Sequence, residues 1–337
     1  MIDPEKVTRL KVLVTGADGM LGNNIVRELV SRSHEVYCFI ESSHSGATLK
    51  DLPVKIFKGD LTNESDIQPV MKQVDYVIHT AGIAAVWPSR SKIYWNVNVE
   101  ALKLLVRFAK QYGIKRFVHI GTATSFAHGP LESPGNEDNP YTGFKYKLDY
   151  HDSKYAAQKF LLEEFRNSNF PVLILNPTFM IGKYDSGNGS NKMVLYMKKG
   201  KIPVYNEGGK NFVNVRDVAD AAVNALTLGR TGECYITGNV NMTYRQAFGL
   251  IADTLEVKAP RIGLSRYVTL VFGYILRIVA FIFNRKPDLT VRMARIGTEG
   301  CYYSSNKAIE ELRMPQRPIE DGIKDAVEWF EESGLIA

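Results

Sequence analysis

The first half of the chain alternates short apolar runs with stretches in which apolar residues recur at helical spacing. The apolar runs predict strands at 12–14, 36–40, 54–57, 76–78, 117–120 and 172–175. The helical spacing predicts helices from residue 21 onward and at 63–72, 101–112 and 153–165. Near-continuous apolar strands that alternate with helices are typical of a parallel sheet covered on both faces. Because crossovers between parallel strands are right-handed, the pattern predicts a doubly wound α/β fold.

The regular alternation of predicted strands and helices ends after Pro177. Residues 182–189 are rich in Gly, Ser, Asn and Asp and predict a loop, followed by a strand at 212–215 and a helix at 217–228. The remaining chain mixes helices with short strands. We therefore expect a smaller C-terminal α+β lobe that is interleaved with the sheet domain.

Three glycines follow the first predicted strand at three-residue spacing. Gly16, Gly19 and Gly22 permit a tight turn, close approach of the backbone to a phosphate, and close packing of the next helix. The helix would point unsatisfied N–H groups at an anion. The turn predicts a pyrophosphate site made of Gly16, Asp18, Gly19, Met20, Leu21 and Gly22. Glycine turns between a strand and a helix are common, so this signal is weak by itself.

A second candidate is the sequence Tyr150-His-Asp-Ser-Lys154. Residues four apart on a helix share one face, with side chains about 6 Å apart. A free tyrosine has a pKa near 10 and is a poor acid or base at neutral pH, roughly three pH units below. A nearby ammonium favours the phenolate and should lower the pKa of Tyr150. Tyr150 and Lys154 are thus a candidate proton-transfer pair.

Together these motifs resemble those of extended short-chain dehydrogenases/reductases, the NAD-dependent epimerase/dehydratase superfamily, over nearly the whole chain. Further segments fit in order, namely Gly59-Asp60-Leu61, His79-Thr80-Ala81-Gly82, Asn98 and the C-terminal stretch 312–329. The resemblance implies a Rossmann domain at 8–175 and 211–240 and a substrate-binding lobe at 176–210 and 241–337. It also implies that Asp60, Leu61, Thr80, Ala81, Gly82, Asn98, Tyr150, Lys154, Pro177 and Thr178 line the cofactor.

The resemblance implies a third catalytic residue as well. Thr122 falls in the family's Ser/Thr position, with Thr124 and Ser125 as nearby alternatives. Its hydroxyl would hold the substrate oxygen beside Tyr150, while Lys154 tunes Tyr150 and binds the nicotinamide ribose. The implied chemistry is hydride transfer between nicotinamide and a carbinol or carbonyl carbon. We expect His128 and His151 to be bystanders.

The choice of cofactor depends on the end of the second strand. Glu41 stands there, and a carboxylate accepts hydrogen bonds from the adenosine ribose while repelling a 2′-phosphate. We therefore expect NAD, although Ser42 and Ser43 leave NADP open.

The branch of the family is indicated by the residues after Thr122 and after the sixth strand. Ala123-Thr124 replaces the acid–base pair of the sugar-nucleotide dehydratases, and Phe179 replaces a sugar-binding Asn of the epimerases. The run Asn176-Pro-Thr-Phe179 instead resembles dihydroflavonol-4-reductase-like and 3β-hydroxysteroid-dehydrogenase-like proteins. We expect an apolar or anionic-apolar substrate, contacted by Thr122, Phe179, Met193 and Arg277.

Two other functions stay open at this point. One is an NAD-dependent nucleotide-sugar epimerase. The other is a non-catalytic NAD(P)-sensing protein, although such proteins typically lose the Tyr or the Lys, and this chain has both.

The positive charge of the chain is concentrated in one segment. The net charge is +6, and residues 258–295 contain eight basic residues and one acid, so we expect no nucleic-acid partner. Within this segment, 267–283 is almost entirely apolar apart from Arg277. Four interpretations of this apolar segment are open. It could be a lid or packing helix over the substrate, an interfacial membrane helix, a spanning helix that a central arginine disfavours, or a dimer face. We expect the basic rim to attract anionic lipid or an anionic substrate.

The remaining expectations concern location and cysteine chemistry. No apolar signal segment follows Met1, so we expect a cytoplasmic protein with a possible membrane-peripheral contact. The three cysteines are far apart and lack metal-ligand spacing, so we expect reduced packing residues and no metal.

Overall fold

The computed structural model describes residues 9–187, 189–282 and 291–336, with the backbone alone at 277 and 279–282. Within these residues the larger of the sheets contains seven parallel strands. They are β1 (Lys11–Thr15), β2 (Glu35–Glu41), β3 (Lys55–Gly59), β4 (Tyr76–His79), β5 (Arg116–Ile120), β6 (Val172–Pro177) and β10 (Cys234–Thr237).

The strand order in this sheet is β10-β6-β5-β4-β1-β2-β3. The chain moves outward from β1 in one direction through β2 and β3, and in the other direction from β4 onward. Consecutive side chains of β1 alternate between two cores, with Val12 and Val14 on one face and Leu13 on the other. Both faces are therefore buried, and the predicted doubly wound fold is confirmed.

Helices cover both faces of this sheet. One face packs against α1 (Met20–Ser31), α7 (Val215–Asn224) and α11 (Asn306–Leu312). The other packs against α2 (Glu64–Met71), α4 (Ala101–Gln111) and α5 (Asp149–Ser168). A short helix α3 (Lys92–Trp95) leads through a π-helical turn at Asn96–Glu100 into α4.

A smaller sheet and its own core form the rest of the described chain. This sheet contains β7 (Phe179–Ile181), β9 (Gly209–Asn214), β11 (Val240–Thr243) and β13 (Gly300–Cys301). Its core also includes side chains of α6 (Lys192–Lys198), α8 (Tyr244–Leu255) and α12 (Ile319–Glu332). A two-stranded ladder joins β8 (Val204–Asn206) to β12 (Ile262–Leu264).

Several element boundaries differ from the sequence prediction, and two of the differences are explained by named contacts. Helix α5 begins at Asp149 and not at 153, because the Asp149 carboxylate accepts hydrogen bonds from the Ser91 backbone N–H (2.7 Å) and from Arg90 (2.5 Å). Strand β9 ends at Asn214, whose side chain caps α7 by accepting from the Arg216 N–H. Strand β9 lies in the smaller sheet, and the division of the chain into two domains stays a prediction.

The apolar segment after β12 forms helix α9 (Arg266–Ile282), which packs against α10 (Val291–Gly297). One narrow side is buried, where Thr269 donates to Asn206 (3.2 Å) and Gly273 approaches Ala294. Large apolar side chains on the remaining surface face solvent, including Tyr267, Val271 and Ile278, which are 81%, 58% and 59% exposed. No helix within the described residues is long and apolar enough to cross a membrane. The predicted substrate contact at Arg277 concerns a side chain outside the described part.

Candidate active site

The candidate site lies at the carboxyl edge of the larger sheet. Strands β1 and β4 are neighbours there, and the chain departs from them in opposite directions, which opens a crevice at their ends. Five of the predicted residues lie at or just after the ends of strands at this edge: Gly16 after β1, Glu41 at the end of β2, Asp60 after β3, Thr80 after β4, and Thr122 after β5. The parallel topology therefore brings together motifs that are more than one hundred residues apart.

The glycine turn after β1 has the geometry of a cradle. Gly16 has a φ of +64°, and a Cβ there would lie 2.8 Å from the Cα of Ala81. A Cβ on Gly22 would collide with the carbonyl oxygen of Gly16, so α1 can sit close to the turn only because residue 22 is glycine. Gly19 caps α1 without a side-chain hydrogen bond, which leaves first-turn N–H groups for an anion. These features fit a dinucleotide pyrophosphate.

A histidine connects the turn to the end of β2. His44 lies 2.7 Å from the Asp18 carboxylate through Nδ1 and 3.6 Å from Glu41 through Nε2. The Glu41 side chain is 67% exposed, so it is free to accept hydrogen bonds from a ribose. Asp60, after β3, uses one carboxylate oxygen to accept from the Thr62 N–H and hydroxyl, both at 2.8 Å.

Asn98 holds the loop after β4 against the catalytic helix. Its side chain pairs with the Ile83 backbone, accepting at 2.8 Å and donating at 3.2 Å, and also donates to the Ser153 hydroxyl at 3.0 Å. Thr80 donates to the Thr15 carbonyl at 2.6 Å, which ties the same loop to β1. Between these anchors, Gly82 leaves space into which Lys154 extends.

Lys154 is buried at the centre of the site. Its Nζ donates to the Ile120 carbonyl oxygen at 3.0 Å, and a Cβ on Gly82 would lie 3.1 Å from the same Nζ. Burial lowers the pKa of Lys154 to about 8. An ammonium held here by one carbonyl has donors left for a ribose hydroxyl.

Tyr150 lies in the first turn of α5, where its hydroxyl interacts with the Thr122 side chain. Burial raises the pKa of Tyr150, and the interaction with Thr122 opposes the rise. The sequence led us to expect a lowered pKa. The difference has a physical cause, since removal of water penalises the phenolate more than its neighbours stabilise it. The Tyr150 hydroxyl is therefore protonated near neutral pH in the cofactor-free protein.

Thr122 is itself held by a residue of the adjacent strand. Asn176 on β6 donates through one amide nitrogen to the Thr122 carbonyl (3.0 Å) and to Gln158 on α5 (2.8 Å). The Thr122 hydroxyl also lies 3.1 Å from that of Thr124. Asn176 thus fixes the distance between the end of β5 and the helix that carries Tyr150.

Two buried histidines lie beneath Lys154. The Nδ1 of His79 lies 2.7 Å from the Thr15 hydroxyl, and its ring centroid is 5.3 Å from that of His119. Burial, with a smaller contribution from Lys154, lowers the pKa of His79 to about 3 and also lowers that of His119. Both imidazoles are therefore neutral and add no positive charge below the site.

The predicted substrate residues Phe179 and Met193 pack on the apolar core of the smaller sheet. Phe179 packs edge-to-face on Phe212 with ring centroids 5.3 Å apart, and Met193 of α6 packs on the same core. Pro177 ends β6, and the Thr178 hydroxyl donates to Asn211 at 2.8 Å. Lys210 is the exception, with its Nζ 4.4 Å from the centroid of the Phe179 ring.

Sequence reasoning missed several of these residues. His44, His119 and Lys210 carry no motif, since their roles depend on partners brought in by the sheet. His79 stood in a recognised segment, but no role was predicted for its side chain. Asn176 was part of a recognised run, but its contact with Thr122 depends on the pairing of β5 with β6. His151, expected to be a bystander, is buried and has an unpartnered Nδ1.

The family follows from comparison with known proteins. A family model described as the NAD dependent epimerase/dehydratase family matches residues 12–240. The chain belongs to the NAD-dependent epimerase/dehydratase family. The crevice and the glycine cradle of this family member are consistent with its cofactor, NAD.

The relatives of this epimerase/dehydratase family member include reductases and dehydrogenases. It is 27% identical to a putative dihydroflavonol 4-reductase of Synechocystis sp., over 96% of this chain and 95% of that protein. It is 29% identical to a 2-alkyl-3-oxoalkanoate reductase of Stenotrophomonas maltophilia, covering 94% and 98% of the two chains. It is 25% identical to a decarboxylating sterol-4-alpha-carboxylate 3-dehydrogenase of Mus musculus, covering 95% and 91%.

A solved structure has the same fold over nearly the whole chain. The crystal structure of gox2253 superposes with a TM-score of 0.84 at 27% identity, over 97% of this chain and 99% of that one. The predicted class, an NAD(P)-dependent oxidoreductase of the extended short-chain dehydrogenase/reductase type, is confirmed by the family and its relatives.

The packing of Gly82 against Lys154 makes a testable prediction. We expect Gly82→Ala to weaken NAD binding by about tenfold or more, because the new methyl displaces the Lys154 ammonium from the ribose. Gly249→Ala is the matched control, since a Cβ at Gly249 on α8 meets nothing within 4 Å. Titration of NADH by fluorescence measures both. Equal affinity in the two variants would show that Lys154 is not held against Gly82.

Proposed function

We propose that the protein is an NAD-dependent oxidoreductase that interconverts a secondary alcohol and a ketone on an apolar small molecule. Tyr150 transfers the proton, Thr122 binds the same substrate oxygen, and Lys154 holds the cofactor ribose. The observation that carries the proposal is that the Tyr150 hydroxyl interacts with the Thr122 side chain, one helical turn from the buried Lys154 and at the same edge of the sheet as the glycine cradle.

In the proposed reaction, the cofactor carries the hydride and Tyr150 carries the proton. When bound, the nicotinamide accepts a hydride from the carbinol carbon or donates one to the carbonyl carbon. In reduction, the Tyr150 hydroxyl gives its proton to the carbonyl oxygen; in oxidation, the Tyr150 phenolate removes the proton of the alcohol. Since burial raises the pKa of Tyr150, the proton donor is present at neutral pH, and oxidation should accelerate as the pH rises.

The lining of the site favours an apolar substrate over a nucleotide sugar. Phe179 presents a partly buried ring at the position where the epimerases have a sugar-binding Asn, and Met193, Tyr205 and Tyr244 are partly buried around the same core. The named activities of the relatives, which concern dihydroflavonol, sterol and alkyl-oxoalkanoate compounds, support this choice.

Replacement of the proton donor tests the mechanism. We expect Tyr150→Phe to reduce turnover by about 100-fold or more, with NADH affinity changed by no more than about threefold, because the variant loses a single hydroxyl. Lys154→Ala should impair both. The matched control is Tyr155→Phe on the same helix, where the ring stacks on Tyr141 at 4.2 Å. A panel of apolar ketones with NADH provides the assay, and full turnover in Tyr150→Phe would refute the mechanism.

We also propose that NAD is preferred over NADP, because Glu41 ends β2 with an exposed carboxylate. Glu41→Arg should shift the ratio of the two affinities toward NADPH by about tenfold, since it removes a repulsion and adds a phosphate partner. Glu310→Arg, an exposed site on α11, makes the same change of charge away from the crevice. If the unmodified protein already binds NADPH more tightly than NADH, this role of Glu41 is wrong.

A peripheral membrane contact through residues 258–295 and a homodimer stay predictions. The exposed apolar surface of α9 and the exposed Lys258, Arg261 and Arg266 support the membrane contact. We expect the protein to sediment with anionic vesicles at low salt and to be released at high salt, because salt screens the lysine and arginine charges. Failure to bind anionic vesicles even at low salt would exclude this contact.

A further inference from the structure

A single lysine interrupts the apolar face of the smaller sheet. On β9, Lys210 and Phe212 point to the same side, because side chains two apart on a strand share a face. The register places Lys210 beside Met242 of β11 and Cys301 of β13, and Phe212 beside Phe179 of β7. An ammonium thus lies on a surface otherwise formed by aromatic, methionine and cysteine side chains.

This ammonium has no partner of opposite charge. Among the residues that the structure describes, no carboxylate lies within ion-pair distance of Lys210 and no acceptor forms a hydrogen bond with its Nζ. Its contact is the face of the Phe179 ring at 4.4 Å. A cation–π contact offsets only part of the cost of removing an ammonium from water. Burial accordingly lowers the pKa of Lys210.

Lys210 lies close enough to helix α5 for its charge to act on that helix. Its charge contributes to the lowered pKa of His151, the residue that follows Tyr150 on α5. Phe179, on which the Nζ rests, comes directly after Pro177 and Thr178 at the carboxyl edge of the larger sheet. The ammonium of Lys210 therefore lies between Phe179, which follows the carboxyl edge of the larger sheet, and the part of α5 that carries Tyr150.

The neighbouring titratable groups leave one positive charge at this place. His151 is neutral because burial lowers its pKa to about 4, and Cys301 remains a thiol because burial raises its pKa to about 11. One ammonium in apolar surroundings suits a monoanion such as a carboxylate. A nucleotide diphosphate carries more charge and usually meets several donors.

We propose that Lys210 binds the carboxylate of the substrate, so that the ligand of this site is an apolar hydroxy or oxo acid. The inference rests on the proposed oxidoreductase function and adds the substrate class to it. Two relatives support it, since the names sterol-4-alpha-carboxylate 3-dehydrogenase and 2-alkyl-3-oxoalkanoate reductase each specify a carboxylate close to the oxidised carbon.

The test compares an acid with its ester on the NADH-bound protein. The probes are 3-hydroxydecanoate and its methyl ester, which differ in charge at one end, and binding is followed by calorimetry. We expect the acid to bind about tenfold more tightly than the ester, and Lys210→Met to abolish this difference while ester affinity stays within about twofold. Lys210→Arg should retain part of the preference. Lys201→Met, at an exposed lysine before β8, should bind both probes as the unmodified protein does.

Three results would overturn the assignment: equal affinity for acid and ester in the unmodified protein, an unchanged preference in Lys210→Met, or tighter binding of UDP-glucose than of the acid. Because these are binding measurements, they do not depend on proton transfer by Tyr150. Acid-selective binding without Tyr150-dependent turnover would refute the proposed function alone. Tyr150-dependent oxidation of neutral alcohols without acid preference would refute the role of Lys210 alone.

Discussion

The site depends on the hydrogen bond from the Lys154 ammonium to the Ile120 carbonyl oxygen at the end of β5. This bond draws the first turns of α5 onto the carboxyl edge of the larger sheet. Gly82 leaves room for it, because a Cβ there would lie 2.9 Å from the Asn98 Oδ1 and 3.1 Å from the Lys154 Nζ. Asn98 holds the loop after β4 by hydrogen bonds to Ile83, and Asn176 holds the end of β5 by a hydrogen bond to Thr122. The two asparagines thus fix both segments relative to α5. Tyr150 reaches Thr122 only because these anchors hold together.

Some charged side chains of this protein form ion pairs, whereas others lie in apolar surroundings without an oppositely charged partner among the described residues. Lys154 is buried and Lys210 is partly buried, neither has a carboxylate partner among the described residues, and burial lowers the pKa of each. The histidines near them are neutral, so these rings add no repelling charge. Two lysines without a carboxylate partner cost folding stability and favour ligands that bring electron-rich groups. A ribose hydroxyl suits the first lysine and a carboxylate suits the second.

The sequence predicted those features that depend on local pattern. The glycine turn, the strand ends and the Tyr150–Lys154 pair are each defined within a few residues, and the parallel topology then places them at one edge. The start of α5 was misplaced because it depends on Arg90 and Ser91, almost sixty residues before Asp149. The role of Asn176 required strand pairing, and Lys210 resembled an ordinary polar residue beside a strand until the register of β9 placed it among apolar neighbours. For α9, the wide apolar surface was evident from the sequence, but the direction in which it points was not.

The central claim is that Tyr150 is the ionising group of the site and that Lys154 controls its ionisation once the cofactor is bound. An ultraviolet titration of tyrosinate in the NAD⁺-bound protein, taken as the difference from Tyr150→Phe, isolates this one hydroxyl. The account predicts that its pKa is lower with NAD⁺ than without it, and that Lys154→Met raises it, because a cation beside a phenolate is lost. A Tyr150 pKa that responds neither to NAD⁺ nor to Lys154→Met would contradict the account.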